Sequence, residues 1–164
     1  MNRLVLLPDR NHLKVDWSGA FKPQAEAYKK HHPDDTVRLV PINIKKPIKD
    51  QESAVLAAIE DAPAGGWSSI AFFCHGFRHR LQFGFDTTKK VKLLTETMAS
   101  TAAGTAPVVP LFCCSTATSK KGANDQVAAG DGGWADEVRD GLCRAGAKFN
   151  RVMGHTTAGH TTTN

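Results

Sequence analysis

No stretch of the 164-residue sequence approaches the roughly 20 consecutive apolar residues that crossing a bilayer requires, so no membrane partner is expected. The opening MNRLVLLPDRNHLK breaks its apolar run at Pro8-Asp9, earlier than a signal peptide would. Aromatics are scarce: Tyr28 is the only tyrosine, and no RNA-binding aromatic motif accompanies the basic residues. Those residues, 21 Lys and Arg against 16 Asp and Glu, come in scattered pairs such as Lys29-Lys30, Lys45-Lys46, Lys89-Lys90 and Lys120-Lys121. The formal charge of +5 therefore reads as solvated surface, and nucleic acid is not expected as the main partner. There is no Walker A sequence and no G-x-S-x-G elbow, which weighs against a P-loop NTPase and a serine α/β-hydrolase. Cysteine is limited to Cys74, Cys113, Cys114 and Cys143, in or beside apolar runs. None of the spacings matches a secreted disulfide framework or a zinc ribbon, so reduced thiols in a cytoplasm are expected.

What is present suits a single α/β domain spanning 1–164. The hydrophobic fraction of 41% and charged fraction of 23% are near globular averages, which excludes a mainly disordered or coiled-coil chain. Residues 3–7 read as a buried strand, 21–32 as a modest helix, and 37–40 as a second strand ended by Pro41. Asp50 is expected to cap a helix carrying Val55, Leu56 and Ile59, stopped by Pro63 and Gly65-Gly66. SIAFFC at 69–74 is a continuous apolar run, as in a central parallel strand covered on both faces. Leu81, Phe83 and Phe85 alternate with Gln82 and Gly84, which predicts a short hairpin or edge strand. Val91, Leu94 and Met98 mark a helix closed near Gly104. PVVPLFC at 107–113 is a fourth main strand in which Pro110 predicts a bulge or irregular entry. Trp134, Val138 and Leu142 recur every four residues with Gly146 as a C-cap, and 149–153 is the fifth strand. Strands alternating with helices predict an open, mainly parallel sheet of about five strands with helices on both faces.

Ligands in such sheets sit at the carboxyl ends of the strands, which places His75, Cys114 and His155 on one rim. A cysteine hydrolase needs a thiolate, a base to make it and donors for the oxyanion. His75 supplies the base, Cys114 the nucleophile, and the backbone N–H groups of Gly76 and Cys114 face the developing charge, with the missing Cβ of Gly76 letting substrate come close. Neighbouring strand residues point to opposite faces, so only one of Cys113 and Cys114 can meet His75. Cys114, farther along, is the more exposed, while Cys113 reads as core, Cys74 points away from His75, and Cys143 beside Leu142 reads as packing. The candidate pocket around the pair includes Cys113, Ser115, Asp131 and His155.

In these two strand ends, His75-Gly76 and Cys113-Cys114-Ser115-Thr116, the chain resembles the caspase-like cysteine peptidases, the group holding caspases, metacaspases, legumains, separases and bacterial CHAT-domain proteases. The resemblance follows the order of elements over residues 3–153, with sharp motif agreement only at the strand ends. It implies a three-layer caspase-like fold and an endopeptidase from a bacterium or phage that cuts a protein partner through a Cys-His dyad. By resemblance His75 matches the catalytic histidine, Gly76 the oxyanion glycine and Cys114 the nucleophile. Many relatives carry a Gly shortly after the nucleophile where this chain has Ala117. Relatives also continue past the fifth strand, so a chain truncated or processed at Asn164 is expected.

Two other readings stay open. A caspase-like interaction module would keep these residues only as packing, and a metal-dependent hydrolase would combine His75 with His155 or His160. Residues 130–135 (GDGGWA) match a loose dinucleotide fingerprint, yet no strand directly precedes them and no acidic residue follows at the right distance, so no cofactor is expected. Arg78, Arg80, Lys120 and Lys121 would favour an acidic residue before the cut bond, and Asp86, Asp125 and Asp131 a basic one. The sequence does not choose between them, nor does it set an oligomeric state.

Overall fold

The computed structural model describes residues 1–9, 19, 21–77, 79–117 and 133–155. In chain order they form β1 (Asn2–Pro8), α1 (Phe21–Lys30), β2 (Thr36–Ile42), α2 (Ile48–Glu60), β3 (Ser69–Phe73), β4 (Gly76–Phe77), β5 (Arg80–Leu81), α3 (Thr88–Ser100), β6 (Val108–Phe112), α4 (Trp134–Arg144) and β7 (Arg151–Met153). Five strands make one parallel sheet in the order β2-β1-β3-β6-β7.

The chain steps outward from β1 to β2, then returns past β1 to β3 and continues the other way. Right-handed crossovers then require α1 on one face of the sheet and α2, α3 and α4 on the other. The buried clusters have this division. Val5, Leu7, Ala71 and Phe73 pack with Phe21 and Ala25 of α1. Leu4, Leu6, Ile70, Phe72, Val109 and Leu111 pack with Val55 and Ile59 of α2, Leu94 and Met98 of α3, and Val138 and Leu142 of α4. Strands buried on both sides need apolar residues at successive positions, which is why β1 and β3 lack polar alternation.

Local expectations are corrected or refined at four places. β2 runs through Pro41, which pairs with Leu7, because β2 is an edge strand and the missing N–H faces no neighbour there. Asp50 lies inside the first turn of α2 rather than capping it, the cap position being Pro47. Pro110 inserts no residue, since β6 keeps the same register against β3 before and after it, but the β3–β6 pairing skips Val109 and Pro110, so the entry is irregular without a bulge. A hairpin forms between β4 and β5, Leu81 and Gly84 then exchange both backbone bonds as a tight antiparallel bridge within the expected stretch, and Leu81, Phe83 and Phe85 turn inward as buried residues of the α2–α4 side.

The amino-terminal edge of the sheet is tied by charge. Asp35 accepts from the Met1 amine at 2.8 Å and from Arg3 Nε at 2.5 Å, and these two cations hold its carboxyl down to about 2. Arg3 also donates to the Tyr28 hydroxyl at 3.2 Å.

Candidate active site

The carboxyl edge is organised differently, by close backbone packing. Pairing of β3 with β6 ends at Phe73 opposite Phe112, and these rings stack at 4.2 Å on the α1 side. The next pair, Cys74 and Cys113, turns to the other side, where both are buried and their Sγ atoms lie 3.5 Å apart. Burial, reinforced by the Cys113 contact, pushes the Cys74 thiol well up, so it stays protonated. Cys113, named as a possible pocket residue, therefore sits in the core with its Sγ against the Phe72 carbonyl at 3.3 Å.

By the same alternation His75 falls on the α1 side, and both His75 and Cys114, which lies in the turn after β6, are half-buried. The His75 ring meets Phe21, the first residue of α1, edge-on at 5.0 Å. Gly76 explains how close the two strand ends come. A Cβ there would collide with the Cys114 carbonyl oxygen and lie 2.8 Å from Cys113 Cβ. The missing side chain thus makes room for the neighbouring strand end, not for substrate as the sequence suggested. Gly76→Ala is expected to cost roughly 1–3 kcal/mol through overpacking and to separate His75 from Cys114. Thermal unfolding and the Cys114 alkylation rate check it, and unchanged values in both would refute the close-packing account.

Beyond Cys114 the chain turns sharply. Ser115 adopts a left-handed conformation (φ 56°), uncommon for a residue with a side chain and costly by about 1–2 kcal/mol. The turn is held by buried Thr116, whose hydroxyl donates to the Cys113 carbonyl at 3.1 Å and whose carbonyl accepts from Ala135 N–H at 2.8 Å. That bond seats the amino terminus of α4 against the turn, and Ala117 N–H donates to the His155 carbonyl at 2.9 Å. A Cβ on Gly154 would lie 2.6 Å from Thr116 Oγ1, so the end of β7 also presses on the turn. His75, Cys114 and His155 are thereby brought to one rim by three neighbouring strands.

Asp131, Arg78, Lys120, Lys121, Asp125 and His160 lie outside the described residues. Arg80 is exposed, its guanidinium over the Phe77 ring at 4.7 Å, whereas Asp86 is paired with Lys90 at 2.9 Å. Cys143 is exposed, correcting its reading as packing: it stands one residue, or about 100°, round the helix from buried Leu142. Among the described residues no three His, Cys, Asp or Glu side chains gather as a metal ion would need, and no helix is long and apolar enough to cross a membrane.

Sequence reasoning missed Thr116, Gly154, Phe21 and Gln82. Only Gln82 carried a signal, as the polar position between Leu81 and Phe83 in an alternating run. Compared with known proteins, the chain matches no family model, no curated protein and no solved structure.

Proposed function

We propose that the protein is a cysteine-nucleophile hydrolase, an endopeptidase of the caspase-like kind acting on a protein or peptide in a reducing cytoplasm. His75 takes the Cys114 proton, the thiolate attacks the scissile carbonyl, and the backbone N–H groups of Gly76 and Cys114 receive the oxyanion. The imidazolium returns its proton to the leaving amine, and His75 then activates the water that releases the acyl group. The observation that carries this reading is that His75 and half-buried Cys114 both stand just past the carboxyl ends of the neighbouring parallel strands β3 and β6. Burial of Cys74 and Cys113 supports it by leaving Cys114 as the thiol of that rim.

Iodoacetamide labelling at neutral pH, mapped by peptide mass spectrometry, tests the pair. Cys114 is expected to label about ten-fold or more faster than exposed Cys143, and to lose that advantage in His75→Ala while Cys143 is unaffected. One observation favours a silent interaction module instead: Gly76 is accounted for by strand packing alone. In that case Cys114 labels no faster than Cys143, with or without His75.

A further inference from the structure

We infer that Gln82 is a positioning residue that fixes the backbone of His75; this rests on His75 and Cys114 acting as a pair. His75 stands two residues past the last β3–β6 ladder position, so the sheet no longer holds it. Gln82 replaces the ladder. Its side-chain Oε1 accepts from His75 N–H at 3.1 Å, and its own N–H donates to the His75 carbonyl at 2.8 Å. One residue thus grips both backbone polar groups of His75, while the imidazole ring packs edge-on against Phe21.

The grip needs a fixed anchor, and the segment carrying Gln82 has one. Leu81, Phe83 and Phe85 flank it as fully buried residues. Phe85 N–H donates to Glu52 Oε1 at 3.0 Å, the Phe85 carbonyl accepts from Trp134 Nε1 at 3.0 Å, and Lys90 holds Glu52 at 2.9 Å. These bonds keep Phe85 in a left-handed conformation (φ 59°). Trp134 begins α4, whose next residue, Ala135, supports the turn of Cys114 through Thr116. The supports of His75 and Cys114 therefore meet at the start of one helix.

The amide also has an unused half. Gln82 Nε2 is buried with no hydrogen-bond partner among the described residues. A buried orphan donor disfavours folding, and packing alone would be served better by a methionine or leucine of similar volume. The acceptor on His75 is what a glutamine adds here.

The test compares wild type, Gln82→Met, which keeps the volume without the acceptor, and Gln82→Glu, which keeps an acceptor oxygen. The readout is the pH profile of Cys114 alkylation in the full chain, with thermal unfolding alongside. Gln82→Met is expected to slow Cys114 labelling about ten-fold at neutral pH and to move its profile toward that of His75→Ala, while Gln82→Glu recovers most of the rate. Should Gln82→Met not fold, Gln82→Asn, whose carbonyl stops one carbon short, is expected to give the same loss. Wild-type rate and profile in a folded Met or Asn variant would overturn the positioning role alone. Wild-type labelling indifferent to His75→Ala would overturn the pair, and the role of Gln82 with it.

Discussion

Cys114→Ala and His75→Ala are each expected to reduce peptide cleavage by at least about a thousand-fold, measured on a degenerate peptide library by mass spectrometry, with the fold intact. Both side chains lie past the last ladder pair and are half-buried, so truncating them opens no cavity in the core. His75→Ala also removes the edge contact with Phe21, worth about 1 kcal/mol, which leaves a stable domain. The neighbouring position behaves oppositely. Cys113 fills core space against Cys74, so its truncation acts on stability before it acts on chemistry. Activity retained by either Cys114→Ala or His75→Ala would end the proposed mechanism, and circular dichroism of both variants separates lost chemistry from lost fold.

Trp134→Ala is expected to be among the most destabilising single changes, at about 3–5 kcal/mol for the core volume lost. The indole is 1% exposed, and its N–H donates to the Phe85 carbonyl, which the substitution leaves unpaired for roughly a further 1–3 kcal/mol. In a chain of this length that loss lowers the melting temperature by about 10 °C or more. Trp134→Phe keeps most of the volume and loses only the hydrogen bond, so it should fall between wild type and alanine. A Trp134→Ala melting point within about 2 °C of wild type would refute the packing account.

Much of the frame was legible because its signals are local. Apolar runs at 3–7, 69–74 and 107–113 admit little but buried strands, and the four-residue recurrence of Trp134, Val138 and Leu142 admits little but a helix. Strands alternating with helices forced a parallel sheet, and a parallel sheet forced His75, Cys114 and His155 to one edge. The misses share a different cause. Pro41 and Pro110 could not be judged without knowing which strand lies at the edge and which register is kept. Cys143 was misread because adjacency to Leu142 in sequence is about 100° of separation on a helix.

The sequence by itself determined the order of elements, the parallel sheet and the edge on which thiol and imidazole stand, because periodicity and crossover handedness act over a few residues at a time. Only the tertiary structure decided what each strand-end residue touches. A missing Cβ reads the same whether substrate or a neighbouring carbonyl fills the space, and at Gly76 it is the carbonyl of Cys114. The alternating run around Gln82 predicts a hairpin or edge strand, and only the fold lays its side chain against His75. Such contacts join residues from separate strands and loops, and no local preference of the chain encodes their geometry.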